Sequence, residues 1–400
     1  MALTIPQEKA RRYLVGRQSF LGRKGKEGIC SFINAMGCVQ MDPVSIVDRN
    51  HNLVLRNRVR DYSPRMLDEL LYRDRRLFEY WRNQKSILPI EDFPYAWYRM
   101  RNHGDFDSPY LDTTKENKER LKGEIGHILA RIRKDGPLSS ADFGREGVVA
   151  EKVANRVLLL LWDSGDLMVH HVEGNRRAYD LTERVLPPGI GTGKVTLEEY
   201  RRFMLMKYLR ADGLADARDP WRFGWYHMDG PERRRVVDEL VKEGTVVPVR
   251  VEGSKNAYYL PEDEVPLLDS DFPICEKVLL IAPLDNIMWN RRMVREVFGF
   301  AYSWEIYLVQ EKRTYGCYAM PMLHGTRFIG RVDPHLDRET KTMVINGIFM
   351  EPGVEDPPVA EIADALAEFC AYHGTRRIEI TASKPEGLKG RLEKALSGML

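Results

Sequence analysis

Four hundred residues, 43% hydrophobic and 30% charged, are more than one ordinary core can bury, so two to four packed units are expected. No uninterrupted apolar run approaches the ~18 residues that would span a bilayer. With 61 Lys and Arg against 59 Asp and Glu, the net charge of +2 argues neither for nor against a nucleic acid. The opening MALTIPQEKARRYL carries its charges before any signal-peptide apolar core, which points to the cytoplasm and to no membrane partner. Five widely spaced cysteines (Cys30, Cys38, Cys275, Cys317, Cys370) form no C-x-x-C pair and read as reduced thiols, so no metal site is expected.

In chain order, helices are expected from about Pro6 to Arg17 and from about Lys26 to Met36. The second stops at Gly37, where the stretch GCVQMDPVS begins. Pro43 disfavours helical geometry at Asp42, so Cys38 to Asp42 should be extended. Alternation then turns Val39 and Met41 inward and sets Gln40 and Asp42 on the other face, ~6.5 to 7 Å apart at Cα. A carboxylate that accepts a proton from water, beside an amide that holds the water, suits hydrolysis. The commoner reading of such a pair is a turn or cap. SIVD (Ser45 to Asp48) has capping-box spacing, with Asp where Glu or Gln is usual, and predicts a helix from about Ile46. On that helix Arg49, Arg56 and Arg60 would form a basic stripe, and His51 lies between them.

The middle of the chain contains a repeat. LWDSGDLMVHHVEGNRRAYDL (Leu161 to Leu181) matches LVKEGTVVPVRVEGSKNAYYL (Leu240 to Leu260) without a gap, at a constant offset of 79 taken from Gly174 and Gly253. Each copy reads as a helix ending at a glycine, a strand, a Gly-containing turn and a return strand. Before the first copy, KERLKGEIGHILARIRKDG has helical spacing and PLSSADFG opens a short second helix. Before the second, TLEEYRRFMLMKYLRADG fills the first-helix role. PERRRVVDELVKEG then sets Arg233, Arg234 and Arg235 near the start of a recognition-helix position. Three helices and a two-stranded wing make the winged-helix pattern, with phosphate contacts expected at those arginines. The N-terminal region is compatible with a third, more divergent copy by element order alone.

Two apparent motifs carry no chemistry. PPGIGTGKVT (Pro187 to Thr196) lacks the glycine of a phosphate loop at Pro188 and its Ser or Thr at Val195, so it reads as a linker. His170 and His171 are neighbours on a strand, face opposite sides and cannot chelate together. After Phe272 an aromatic and β-branched run reads as antiparallel strands broken by EKRT and HGT turns, and VAEIADALAEFCAYHG as an amphipathic helix stopped by Gly374. Basic clusters recur along the chain, also at Arg11-Arg12, Arg23-Lys24-Lys26, Arg73-Arg75-Arg76 and Arg291-Arg292. Any one is an ordinary solvated face, and it is the recurrence that suggests a polyanion.

VQMDPVSIVDRNHNLVLRNRV (Val39 to Val59), the repeated wing and LLIAPLDNIMWNRRMVREVFGFAYSWEIYLVQEKRTYGCYAMPML (Leu279 to Leu323) resemble the winged-helix DNA glycosylases of the AlkZ/YcaQ type, over nearly the whole chain. The catalytic motif of that family is a glutamine, an apolar residue, then glutamine or aspartate; Gln40-Met41-Asp42 is the aspartate version. The resemblance implies an α+β fold of three tandem winged-helix modules in a C shape, at residues 1–115, 116–188 and 189–270, and a C-terminal β-rich, barrel-like domain at 271–400. It implies a DNA glycosylase, without cofactor or metal, that excises N7-alkylguanine from double-stranded DNA and unhooks interstrand crosslinks. Gln40 and Asp42 would be catalytic, and Arg49, His51, Arg56, Arg60, Arg233, Arg234, Arg235, Lys312 and Arg313 would contact DNA. A C-terminal hairpin that approaches the lesion is also implied; VQEKRTY (Val309 to Tyr315) is the candidate, a solvated turn being the alternative. The nearest lysines in sequence, Lys26 and Lys85, are far from the pair, so a monofunctional enzyme is expected, acting as a monomer and associated with the nucleoid when on DNA. The rival reading is a non-enzymatic winged-helix regulator, which explains the repeat and the arginines but has no use for a water-activating pair.

Overall fold

The structure is a computed structural model and describes residues 2–102, 115–216 and 228–399. It is a mixed helix and strand fold. The first stretch contains β1 (Leu3–Ile5), α1 (Gln7–Gly16), α2 (Gly25–Met36), β2 (Val39–Gln40), α3 (Asn50–Arg56), α4 (Pro64–Asp68), β3 (Leu77–Arg82), β4 (Gln84–Pro89) and α5 (Phe93–Arg101). Next come α6 (Lys115–Arg120), α7 (Lys122–Asp135), α8 (Ser140–Glu146), α9 (Glu151–Asp163), β5 (Leu167–Glu173), β6 (Arg176–Leu181), α10 (Thr182–Val185) and α11 (Leu197–Asp212). The third stretch runs α12 (Gly230–Lys242), β7 (Val246–Val251), β8 (Ala257–Pro261), β9 (Val278–Leu280), α13 (Arg291–Phe298), β10 (Met320–His324), β11 (Arg327–Asp337), β12 (Thr342–Met350), α14 (Val359–Tyr372), β13 (Arg377–Ile380), β14 (Ser383–Lys384) and α15 (Leu388–Leu396). Among the described residues no helix is long and apolar enough to cross a membrane.

The two copies of the repeat end their helices in the same way. After α9, Gly165 N–H donates to Trp162 O (3.2 Å) and Asp166 N–H to Leu161 O (2.9 Å); after α12, Gly244 N–H donates to Val241 O (3.1 Å) and Thr245 N–H to Leu240 O (3.0 Å). Those bonds need a left-handed residue at the stop, and φ is +77° at Gly165 and +79° at Gly244. The hairpins β5–β6 and β7–β8 turn at Gly174 and Gly253, also at positive φ. Each return strand carries one further bridge, Tyr179 to Leu138 in the first copy and Tyr259 to Ala215 in the second. The repeated glycines are therefore backbone requirements, which keeps them in one register.

The chain divides into two compact units, one of Met1–Ser63, Leu209–Asp216 and Leu240–Leu400, the other of Pro64–Tyr208 and Ala217–Glu239. In the first, β1 pairs in parallel with β7, Leu3 opposite Val249 and Ile5 opposite Val251, so the N-terminal strand extends the β7–β8 hairpin to three strands. Its six-stranded sheet has the order β13-β12-β11-β10-β9, with β14 also on β12. One core joins α1 (Ala10, Tyr13, Leu14), the β7–β8 hairpin (Val249, Tyr258, Leu260), α13 (Val294, Val297, Phe298) and the large sheet (Leu279, Leu323, Phe328). The second unit holds the β3–β4 hairpin, helices α4 to α9 and the β5–β6 hairpin. There α8 starts at a capping box, Ser139 with Asp142.

The aromatic run after Phe272 departs from the expected strands. Only the HGT turn closes a hairpin, β10–β11. Residues around EKRT form short 3-10 turns instead, because the Glu305 carboxylate accepts the N–H groups of Thr314 (2.8 Å), Tyr315 (2.8 Å) and Gly316 (3.2 Å) that a strand ladder would have used.

At the centre of the first unit, Arg58 and Asp285 are both 0% exposed and pair through both guanidinium nitrogens and both carboxylate oxygens. Gln18 Oε1 (2.9 Å) and Val54 O (3.2 Å) accept from the same guanidinium, which lies over the rings of Phe20 and Phe32 at 4.3 and 4.9 Å. Removing one partner strands a buried charge. Arg58→Met should cost ~3–5 kcal/mol in urea denaturation, and Asp285→Leu added to it should restore part of that loss. A single variant within ~1 kcal/mol of wild type would show that the pair is dispensable.

Candidate active site

β2 brings Val39 and Gln40 into the first unit as a two-residue strand, shorter than the extended Cys38 to Asp42 expected, and Met41 and Asp42 lie just beyond it. Its position is held through main-chain oxygens: Cys38 O accepts Asn286 Nδ2 (2.9 Å) and Gln40 O accepts Asn50 Nδ2 (2.9 Å), both amides being buried. Val39 is wholly buried and Gln40 is 6% exposed, so the glutamine is enclosed rather than presented to bulk solvent. Asp42 is half-buried. Its Oδ1 accepts Val44 N–H at 2.9 Å, a local turn bond, while no described residue donates to Oδ2. Burial pushes the Asp42 carboxyl above the ordinary aspartate range, and the Val44 N–H offsets this only in part.

The expected helix from Ile46 does not form; α3 begins at Asn50. The carbonyls that would have opened it are taken from outside. Ile46 O accepts Leu336 N–H (3.4 Å), and Ser45 O (3.1 Å) and Val47 O (3.3 Å) accept Arg338 Nη2, all from the end of the β11–β12 hairpin. Asp48 completes the turn, accepting Arg49 N–H (2.7 Å) and Asn52 Nδ2 (2.9 Å) at Oδ1 and Tyr372 OH (3.3 Å) from α14 at Oδ2. The segment after Asp42 is thus clamped by a hairpin and a helix that lie about 300 residues later in the chain. Arg338, absent from the sequence-derived set, stands in HLDRETKTM, whose turn signal is the one local cue.

The arginines meet different fates. α3 is buried at every residue but Arg56, so His51 is inside. Arg56 lies over the rings of Phe369 and Tyr372 at 4.9 and 5.0 Å, and burial pushes its pKa down, with Tyr372, Glu368 and Asp48 opposing. Arg49 is the residue preceding α3 and is half-buried, whereas Arg60 lies beyond the helix and is exposed, so the three do not form one stripe. In the second unit Arg233 is 6% exposed, Arg234 is exposed, and Arg235 is exposed but engaged by Glu198, Glu232 and Glu239. Lys312 is exposed, and Arg313 donates from Nε to Leu308 O (2.9 Å). The segment Val309 to Tyr315 is not a hairpin; the hairpin that touches the motif segment is β11–β12.

Among the described residues no group of three or more His, Cys, Asp or Glu could hold a metal ion. The arrangement offers one half-buried carboxylate with one oxygen fixed by Val44 and the other without a donor among the described residues, and an enclosed amide two residues before it. Such a group can accept a proton from water or stabilise a developing cation.

A family model described as DNA glycosylase AlkZ-like matches residues 33–372, from α2 to the end of α14. Among solved structures the chain is similar to the DNA glycosylase AlkZ of Streptomyces sahachiroi, with a TM-score of 0.63 and 17% sequence identity over 93% of this chain and 98% of that one. At that identity the likeness is one of fold.

Two outcomes follow from the placement of these charges. A carboxyl whose folded pKa exceeds its unfolded one favours the folded state at low pH and loses that advantage as pH rises through the folded pKa. Asp42→Asn should therefore melt at or above the wild-type temperature at neutral pH, the gap closing as the pH is lowered; a clearly lower Tm would make the carboxylate structural. Arg60→Ala and Arg234→Ala should each lower the salt slope of log K on duplex DNA by about 0.9 if each holds one phosphate. Arg56→Ala and Arg233→Ala should lower the melting temperature instead, and an unchanged Tm with a reduced slope would reverse that assignment.

Proposed function

As the chain belongs to the AlkZ-like DNA glycosylase family, we propose that it hydrolyses the N-glycosidic bond of N7-alkylguanine in double-stranded DNA, unhooking interstrand crosslinks included, with Asp42 and Gln40 as the catalytic pair. The enzyme is a DNA glycosylase. The regulator reading falls with that, since a regulator releases no base. The observation that carries the proposed site is Asp42: half-buried, fixed at Oδ1 by Val44 and unengaged at Oδ2 among the described residues, on a segment clamped from two later elements.

N7 alkylation makes guanine cationic and a good leaving group, so little acid catalysis is needed. Asp42 stabilises the oxocarbenium that develops at C1′ and takes the proton of the attacking water, while Gln40 holds that water. Its 6% exposure favours one ordered water over bulk solvent. The folded position of Asp42, with its carboxyl pushed upward, suits a base. Around this pair we read residues 1–115, 116–188 and 189–270 as three winged-helix modules and 271–400 as the β-rich domain; the matched helix stops and wings of the repeat support the second and third. Function as a cytoplasmic monomer that associates with the nucleoid is part of the same reading.

Single-turnover excision from a duplex with N7-methylguanine, and release of one strand from a nitrogen-mustard crosslink, test it. Asp42→Asn should lose ~10² to 10⁴ in rate while binding the same duplex as well or slightly better, because a carboxylate near phosphates is repulsive. Gln40→Ala should lose less. Excision by Asp42→Asn at the wild-type rate would sink the assignment, and joint loss of rate and affinity would make the residue a docking element. Borohydride should trap no covalent adduct, since the pair contains no amine.

A further inference from the structure

The six-stranded sheet ends on β13, and among the described residues no strand lies on its far side. β13 runs parallel to β12 with Ile380 opposite Ile345, and Thr381 N–H donates to Ile345 O at 2.8 Å. In a parallel ladder the backbone groups of successive residues point alternately to the two sides. Arg377 and Glu379 therefore turn theirs to β12, while Ile378 and Ile380 present N–H and C=O to the open edge. Such an edge is a template for another strand, and proteins commonly blunt it with lysine, proline or a bulge. β13 has none of these.

The side chains alternate as well. Arg377 and Glu379 share one face; both are exposed, and neither has an ion-pair partner among the described residues. Ile378, half-buried, and Ile380, buried, share the other. An open groove of about 400 Å³ lies between β13 and the end of α15, lined by Ile378, Ile380, Glu393, Leu396 and Ser397. The helix thus leaves room beside the strand. The two unpaired charges are opposite in sign and stand symmetrically about Ile378, so the strand turned end for end is its own complement.

We propose that β13 is a self-complementary edge through which two copies of the chain pair antiparallel about Ile378. Ile378 then exchanges both backbone bonds with the partner's Ile378, at ~5.5 Å between Cα atoms, and both side chains fall on the groove face. Arg377 stands opposite the partner's Glu379, and Glu379 opposite the partner's Arg377, in the narrow pairs at ~4.5 Å where side chains interact most closely. A few residues a side bury less than the ~1,000 Å² that a stable free dimer needs. The chain is therefore a monomer in dilute solution and pairs where copies are held close together, as along one DNA molecule. The inference requires binding to DNA and is independent of the substrate and the catalytic pair read above.

The test uses the full chain on a long undamaged duplex that holds several copies, with Ile378→Cys as a symmetric probe oxidised by copper–phenanthroline; the expected spacing lies within disulfide range. Ile378→Cys should give a covalent dimer that the five native thiols do not. Adding Arg377→Glu sets like charges opposite each other twice and should lower the yield roughly tenfold; adding Glu379→Arg as well should restore it. Because Ile378 is half-buried, sedimentation of concentrated free protein that keeps Ile378 is the second measurement. There wild type should self-associate, Arg377→Glu and Glu379→Arg should each stay monomeric, and an equal mixture of the two should associate. The charge variants should melt like wild type, since both side chains are exposed. Association that follows the charges in either measurement supports the pairing, with or without excision of N7-methylguanine. Covalent dimer at the same yield whatever the charges, or no charge-dependent association in either measurement, overturns it.

Discussion

The Arg58–Asp285 pair is the contact through which the motif acquires its geometry. Arg58 follows α3 by two residues, and Asp285 precedes Asn286, whose side chain holds Cys38 O at the head of β2. Asp285 also accepts Ile287 N–H at 3.1 Å, which fixes the turn that carries Asn286. A neighbouring bond repeats the theme, Asn57 Nδ2 donating to Leu280 O at 2.9 Å. A buried ion pair contributes little net stability compared with apolar residues of the same size, but it tolerates few alternative arrangements. Here that selectivity fixes the register between the motif segment and the C-terminal sheet.

Anchoring by the main chain has a chemical side. Asn286 and Asn50 grip Cys38 O and Gln40 O, and Arg338 grips Ser45 O and Val47 O. Among the described residues the Asp42 side chain contributes to holding the segment only through the single Val44 bond. The cost falls on Asp42, whose charged form is partly desolvated. A polar group kept in an unfavourable setting by a surround that over-determines its position is what a reactive site requires.

Local signals made the repeat and the short strand at Val39–Gln40 legible, but not the facing of its side chains, Gln40 being buried and Met41 only partly so. Positive φ at Gly165, Gly174, Gly244 and Gly253 is a backbone demand that one residue type meets, so it survives in the sequence as a register. The fate of the arginines was not legible. Arg56, Arg58 and Arg60 look alike in sequence, yet one lies over aromatic rings of α14, one is buried against Asp285 and one faces solvent. The carboxylate that decides Arg58 is 227 residues away, beyond any periodicity. The helix expected from Ile46 failed for the same reason, its carbonyls being claimed by Leu336 and Arg338. The strands expected around EKRT failed because aromatic and β-branched composition does not distinguish a buried ladder from a loop that displays its apolar residues.

The parallel pairing of β1 with β7 bears on how the chain is made. Leu3 to Ile5 leave the ribosome first, but their partners Val249 to Val251 follow far later; at ~5–20 residues per second the wait is on the order of ten seconds or more. Asp285, Arg338 and Tyr372, which shape the motif segment, emerge later still. A nascent chain, or one cut short by premature termination, therefore carries Gln40 and Asp42 without their setting. The segment that carries Gln40 and Asp42 therefore reaches its folded geometry only after nearly the whole polypeptide has been made.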